Sequence, residues 1–292
     1  MNTKKISASQ AGEISLGNEV SVHRLGYGAM RLTGEGIWGP PKDRKAALAV
    51  LQRAVEMGVN FIDTADSYGP HVNEELIAEA LFPYPAGLVI ATKGGWNRPG
   101  PNQWTHDATP AHLREAAEGS LRRLRLDRID VYQLHIPDPV VSFESSVETL
   151  AELRREGKIR MVGLSNVTQE HIERARGIVP IVSVQNRYSF ADREWDYVVD
   201  YCERNGIAFI PWFPLSAGKI AGEVLHGIAG AHRAAPTQVA LSWLLWRSPV
   251  MLPIPGTSSL EHLEQNIAAA SLRLTPEEYE QLSGVPEIIR SR

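Results

Sequence analysis

Four side chains with complementary proton chemistry follow short apolar segments of the sequence. Asp63 and Tyr68 lie in the run DTADSYG, and Lys93 and His135 each come directly after a later apolar segment. If these segments are parallel strands of a barrel, their carboxyl ends meet at one mouth, where the catalytic side chains of barrels are found. The four side chains are therefore expected to converge in one site.

Together these residue types can protonate a carbonyl oxygen. Reduction of a carbonyl needs a hydride at carbon and a proton at oxygen, and a phenol can supply that proton only if its pKa, normally about 10, is lowered. Lys93 is expected to lower the pKa of Tyr68, and Asp63 to keep Lys93 charged. His135 is expected to hydrogen-bond the substrate oxygen. Each residue alone has an ordinary structural explanation, so the prediction depends on the set.

Short apolar runs alternate with longer amphipathic runs from Arg24 onward, which is typical of βα units around a parallel sheet. This predicts an α/β fold, a (β/α)8 TIM barrel with an N-terminal β-hairpin and a C-terminal extra helix, as a single domain over 1–292. The predicted strands are Arg24–Met30, Phe61–Thr64, Leu88–Thr92, Ile129–Leu134, Arg160–Leu164, Ile181–Gln185, Ala208–Trp212 and Met251–Ile254. The predicted helices include Arg44–Met57, Ala111–Leu126, Ser146–Arg155, Glu194–Arg204 and Thr237–Trp246.

Turn and cap residues agree with this pattern. Gly17-Asn18 predicts a hairpin within Glu13–Val22 that could close the amino-terminal mouth of the barrel. Helix starts are predicted where a capping side chain precedes a proline or an acidic residue, at Thr109, Thr275 and Ser258, the last with Glu261 as a capping box. Glycines that can take the left-handed conformation follow three predicted helices, at Gly58, Gly157 and Gly206.

Composition narrows the class of partner. The chain has 30 basic and 34 acidic residues, a net charge of -4 and no dense basic run, so a nucleic-acid partner is not expected. Its single cysteine, Cys202, allows no intramolecular disulfide, and no stretch approaches the roughly 18 apolar residues of a membrane span. We expect a cytoplasmic protein without membrane contacts that acts on a small molecule, as a monomer or weak homo-oligomer.

The run FIDTADSYG at 61–69 closely resembles the signature of the aldo-keto reductase superfamily. Further motifs follow in the order found in that family, and the resemblance extends from Gly26 to about Ala270. Several motifs in order are far more specific than one. They are ATK at 91–93, YQLH at 132–135, GLSN at 163–166, VQN at 184–186 and IPGTSS at 254–259.

The resemblance implies an NADP-dependent carbonyl reductase whose catalytic tetrad is Asp63, Tyr68, Lys93 and His135, with Tyr68 as general acid. It also implies a nicotinamide ring stacked on Trp212, where the family commonly has tyrosine, since stacking needs only a π face. Its carboxamide would be held by Ser165, Asn166 and Gln185. The other implied cofactor contacts are Gly28, Ala29, Met30, Asp63, Phe213, Pro214, Leu215, Ser216, Ile254, Gly256, Thr257, Ser258, Gln265 and Asn266.

The adenosine end of the implied site departs from the family pattern. Gly256 and His262 stand where many members have basic residues that bind the 2'-phosphate. Thr257, Ser258 and the following helix N-terminus could receive a phosphate instead, and GTSS resembles a bacterial branch that generally uses NADPH. We therefore expect NADP(H), with NAD(H) as the alternative. The chain has no GxGxxG fingerprint, so a Rossmann site is not expected.

Aromatic and apolar residues are predicted around the reacting groups. Beside Tyr68 and His135, the substrate pocket is expected to be lined by Met30, Trp38, Trp96, Trp104 and Ile136, which favours aromatic or otherwise apolar carbonyl compounds. The runs RLGYGAMRL at 24–32 and GPP at 39–41 resemble bacterial members that reduce pyridoxal. Pyridoxal is therefore a candidate substrate.

Three alternatives stay open on the sequence. A class I aldolase could form a Schiff base on Lys93, although Asp63 should keep that lysine charged. A metal-dependent hydrolase is disfavoured because the nine histidines include no closely spaced ligand pair. A slow or non-catalytic dinucleotide-binding redox sensor, acting as a regulatory subunit, would have the same tetrad but very slow turnover.

Overall fold

The structure, a computed structural model, describes residues 6–215 and 222–284. Its strands are β1 Glu13–Leu16, β2 Val20–His23, β3 Tyr27–Gly28, β4 Phe61–Asp63, β5 Val89–Gly94, β6 Trp96–Gly100, β7 Gln103–His106, β8 Ile129–Leu134, β9 Ile159–Ser165, β10 Ile181–Gln185 and β11 Ala208–Phe209. Its helices are α1 Arg44–Glu56, α2 Val72–Leu81, α3 Pro110–Leu124, α4 Phe143–Arg155, α5 Gln169–Arg176, α6 Asp196–Asn205, α7 Glu223–His232, α8 Pro236–Arg247, α9 Leu260–Ala268 and α10 Pro276–Ser283.

Parallel strands form a sheet in the order β3-β4-β5-β8-β9-β10-β11, and the segment after α8 joins its two edges. Phe209 forms a parallel bridge with Met251, and the Gly26 amide donates to the Pro253 carbonyl at 2.9 Å. This confirms the (β/α)8 barrel. The predicted strand Met251–Ile254 is an isolated bridge instead, because Pro253 has no N–H for a regular ladder.

The strands next to this closing segment are shorter than predicted. Tyr27–Gly28 replaces the expected Arg24–Met30, and Ala29–Leu32 forms a 3-10 helix at the top of the barrel. Ala208–Phe209 replaces Ala208–Trp212, where Pro211 interrupts the N–H series. The central strands Ile129–Leu134 and Ile181–Gln185 have the predicted bounds.

The amino-terminal hairpin lies where the sequence placed it. Gly17 and Asn18 have φ values of 57° and 58°, as a type I′ hairpin turn requires. Leu16 and Val22 are fully buried in one hydrophobic cluster with the inner residues of the barrel strands. A Cβ on Gly17 would lie 2.7 Å from Cγ1 of Val182, so the turn packs directly against β10.

Local stop and start signals explain most helix ends. Gly58, Gly157 and Gly206 all have positive φ after α1, α4 and α6, as predicted. Thr275 forms a capping box with Glu278 at the start of the extra helix α10. The predicted cap Ser258 is wrong by one residue: the side chain of Ser259 accepts the N-terminal hydrogen bond of α9, from the His262 amide.

Three further features complete the description of the fold. The hairpin β6–β7 follows the carboxyl end of β5, and sequence reasoning did not predict it. Within 6–215 and 222–284, no helix combines the length and apolar character needed to cross a bilayer. Cys202 is fully buried in α6, which fits a packing role.

Candidate active site

The predicted reactive residues lie at the carboxyl ends of the barrel strands. Asp63 ends β4, Lys93 lies in β5, and His135 follows β8. Asp63 and His135, together with Tyr68, line a cavity of about 640 Å³, whereas the fully buried Lys93 is not among its lining residues. Its described lining is Gly28, Met30, Arg31, Ile37, Asp63, Tyr68, Trp96, Trp104, His135, Ile136, Ser165, Asn166, Gln185, Trp212, Phe213, Pro214, Leu215, Ile254, Pro255 and Gly256.

Lys93 is fully buried and bound to acceptors on the neighbouring strand. Its Nζ donates to Oδ1 of Asp63 at 2.6 Å and to the Thr64 carbonyl at 2.7 Å. Burial is the largest influence on its pKa and opposes the charge, but Asp63 and Tyr68 together outweigh burial and raise the pKa of Lys93 above its ordinary value. The lysine is therefore an ammonium ion at neutral pH, which counts against the aldolase alternative.

The second oxygen of Asp63 is held by two glutamines. Gln133 and Gln185 donate to Oδ2 at 3.0 and 2.8 Å. Gln185, which was expected to bind the carboxamide of the nicotinamide, thus uses one N–H of its side chain to orient Asp63. Gln133 is a site residue that sequence reasoning missed. The motif YQLH could have indicated it, because Gln133 lies two residues before His135 and side chains two apart on a strand share a face.

Tyr68 lies beside the ammonium but does not have the pKa shift that we expected. The Nζ of Lys93 is 5.2 Å from the centre of the phenol ring. Burial raises the pKa of Tyr68 by more than Lys93 lowers it, so the pKa lies above its ordinary value. The expectation of a lowered pKa was wrong in sign, because sequence spacing does not reveal that the hydroxyl is desolvated. The phenol keeps its proton throughout the neutral range.

His135 completes the group in its neutral form. Its ring centre is 5.8 Å from that of Tyr68, edge to face. Burial first, and the charge of Lys93 second, hold the pKa of His135 well below its usual value. Ser67 Oγ is 3.5 Å from Nδ1, at the limit of a hydrogen bond. A neutral imidazole has one N–H, which can be donated to an oxygen in the cavity.

Asn166 links Trp212 to His135. Its Nδ2 donates to the His135 carbonyl at 3.0 Å and to Ser165 Oγ at 3.1 Å, while its Oδ1 accepts from Trp212 Nε1 at 3.1 Å. An indole nitrogen can only donate, so this bond fixes which end of the amide faces the tryptophan. Asn166 has φ 58°, a conformation that asparagine tolerates.

The other predicted cofactor residues divide into three groups. Lining the cavity are Gly28, Met30, Phe213, Pro214, Leu215, Ile254 and Gly256. Ser216 lies outside the described residues. Not among the lining residues are Ala29, Thr257, Ser258, Gln265 and Asn266. The Nε2 of Gln265 donates to Oε1 of Glu261 at 3.2 Å within α9.

Four of the five aromatic and apolar residues predicted for the substrate pocket line the cavity. Met30, Trp96, Trp104 and Ile136 line the cavity, whereas Trp38 does not. Its neighbour Ile37 lines the cavity instead, and the ring of Trp38 lies 5.8 Å from the guanidinium carbon of Arg98. Arg31 was also missed, although it directly follows Met30 in the sequence.

Comparison with known proteins agrees with this geometry. The model of the aldo/keto reductase family matches residues 24–287. A Schizosaccharomyces pombe protein named as an uncharacterized oxidoreductase is 50% identical over 279 residues, covering 95% of this chain and 90% of its own. Pyridoxine 4-dehydrogenase of Escherichia coli is 45% identical over 272 residues, covering 91% and 95%.

Solved structures have the same fold. The aldo-keto reductase from Klebsiella pneumoniae in complex with NADPH superimposes with a TM-score of 0.81 at 27% identity, covering 96% of this chain and 97% of its own. Three observations agree on the family of this chain. They are the strand order of the barrel, the buried pair of Lys93 and Asp63 at its mouth, and the match of the family model to residues 24–287. The chain belongs to the aldo/keto reductase family and is an NADP-dependent oxidoreductase.

Proposed function

We propose that the protein uses NADPH to reduce planar aromatic aldehydes such as pyridoxal, with Tyr68 as the general acid. The observation that carries the proposal is that Tyr68 and His135 line the same cavity as Ser165, Asn166 and Trp212. Trp96 and Trp104 also line this cavity and lie edge to face against His135. The similarity to a pyridoxine 4-dehydrogenase supports a pyridoxal-like substrate.

The residues present fit a nicotinamide dinucleotide. Ser165, Asn166 and Gln185 bring hydroxyl and amide groups to the cavity, and Trp212 borders it with an aromatic ring. Arg31, exposed at the rim beside Gly256, adds a cation that a phosphate can pair with. When bound, the dinucleotide supplies the hydride for the reduction.

Proton transfer follows from the electrostatics of the four central residues. Tyr68 stays protonated in the neutral range because burial raises its pKa, so a proton is available at its hydroxyl. Lys93, held charged by Asp63, stabilises the phenolate that forms once the proton has left. His135 is neutral and donates its N–H to the substrate oxygen, which orients the carbonyl.

Titration of the purified protein with NADPH and NADH, followed by turnover on pyridoxal and 4-nitrobenzaldehyde, tests the proposal. We expect tighter binding of NADPH and consumption of NADPH with both aldehydes. Tyr68→Phe should lower kcat by about 10²–10⁴-fold and leave the Kd of NADPH nearly unchanged. Tyr197→Phe, at an exposed site on α6, is the matched control.

Each other outcome has a distinct meaning. Tight binding with negligible turnover on every aldehyde would favour the redox-sensor alternative. A large loss of NADPH binding in Tyr68→Phe would overturn the role of Tyr68 as an acid, because the removed hydroxyl would then be a cofactor contact. Absence of dinucleotide binding would refute the proposed function as a whole.

A further inference from the structure

Arg98, on β6, joins three segments around the mouth of the barrel. Its Nε donates to the Gln103 carbonyl at 2.9 Å. Its Nη1 donates to the carbonyls of Ile37 and Ser67, both at 3.0 Å, and its Nη2 donates to Gly36 at 2.8 Å. These acceptors belong to the β6–β7 hairpin, to the loop before α1 and to the loop that carries Tyr68.

The same guanidinium supports an aromatic wall of the cavity. Its central carbon lies 3.7 Å from the ring centre of Trp104. Trp104 in turn meets Tyr68 at 6.5 Å, Trp96 at 5.8 Å and His135 at 6.5 Å, all edge to face. Trp104 is thus placed between Arg98 and the reacting groups.

Arg98 is not arranged to receive a substrate anion. An arginine has five N–H donors, and four of those of Arg98 are used on backbone carbonyls. Arg98 does not line the cavity, whereas Trp104 does. Any influence of Arg98 on the substrate therefore passes through the position of Trp104 and of the joined loops.

We propose that Arg98 is a positioning residue that determines specificity, because it holds Trp104 as a fixed wall that selects planar aromatic carbonyl compounds over aliphatic ones. This inference rests on the proposed function. A wall that is already ordered stacks on a flat ring without the entropic cost of ordering a loop side chain. A small aliphatic aldehyde has little surface to stack on Trp104 and gains little from it.

Steady-state kinetics with 4-nitrobenzaldehyde and propanal test the inference. In Arg98→Met we expect the KM for 4-nitrobenzaldehyde to rise about tenfold, with kcat and the KM for propanal changed less than about twofold. Arg98→Lys should resemble Arg98→Met, because lysine keeps the charge but not the planar fork. Arg122→Met, on an exposed position of α3, is the matched control.

A double-substitution cycle separates the wall from general loss of structure. Trp104→Leu should raise the KM for 4-nitrobenzaldehyde as Arg98→Met does, and the combined variant should be no worse than Trp104→Leu alone. An equal loss on both aldehydes, additive effects in the double variant, or full activity of Arg98→Met on both would overturn the inference.

The two proposals fail in different ways. If the wild-type protein reduces neither aldehyde with NADPH, the proposed function fails. Equilibrium dialysis of 4-nitrobenzyl alcohol in the presence of NADP⁺ then still tests the wall, because it reads binding without turnover. Weaker binding to Arg98→Met than to Arg122→Met would support the role of Arg98, and equal binding would overturn it.

Discussion

Replacing Lys93 by methionine tests the electrostatic basis of the site. Methionine keeps most of the side-chain volume and removes the charge, so Oδ1 of the buried Asp63 loses its cation. Gln133 and Gln185 cannot take over, because both donate to Oδ2. Removing one partner of a buried ion pair costs about 3–5 kcal/mol. That is a large part of the roughly 5–15 kcal/mol by which native proteins are stable.

The free energy of unfolding in urea, followed by circular dichroism with a check of reversibility, measures this loss. Adding Asp63→Asn to Lys93→Met neutralises the unpaired oxygen and should recover about 1–3 kcal/mol. Neither variant should turn over aldehydes at the wild-type rate. A Lys93→Met variant as stable as wild type, or one that Asp63→Asn destabilises further, would refute the reasoning.

Three further predictions follow from the described contacts. Burial raises the pKa of Tyr68 against the opposing charge of Lys93, and burial lowers the pKa of His135, so both side chains stay neutral between about pH 6 and 9. The value of kcat/KM for reduction should therefore be flat over that range and fall as pH rises through the pKa of Tyr68. A bell-shaped pH profile centred near neutrality would contradict this. Trp212→Phe keeps an aromatic face but removes the donor to Asn166, so the Kd of NADPH should rise about fivefold, the value of one hydrogen bond; an unchanged Kd would show that the bond does not order the site. Arg31→Gln should raise the Kd of NADPH about tenfold by fluorescence titration and that of NADH less, and equal changes would place Arg31 away from the 2'-phosphate.

Matched substitutions far from the cavity control for surface effects. Trp246→Phe changes an exposed tryptophan that stacks on Tyr279. Arg122→Gln removes an exposed cation on α3. Neither should change the Kd of either dinucleotide.

The sequence predicted well those features that depend on residues close together in the chain. The alternation of apolar runs predicted the barrel, and Gly17-Asn18 predicted the hairpin turn, because φ and side-chain periodicity are set by residues close together in the chain. Bounds were less predictable where neighbours intervene. Met251–Ile254 forms an isolated bridge and not a regular strand, because it contains Pro253. The N-cap of α9 is Ser259 and not the predicted Ser258.

Contacts between distant segments could not be read from the sequence. Arg98 meets Ser67 and Gly36 across 31 and 62 positions, and Gln185 meets Asp63 across 122. Trp38 was expected to line the cavity, but its neighbour Ile37 lines it instead.

The sequence by itself determined the order of strands and helices in the barrel and the types of side chain at the strand ends. Both follow from local patterns and from motifs in a fixed order. The tertiary structure decided the protonation states and the partners: burial reversed the expected pKa shift of Tyr68, two glutamines came to hold Asp63, and Arg98 came to support Trp104. Desolvation and hydrogen bonding depend on every atom packed around a group, and those atoms come from parts of the chain that no local pattern connects.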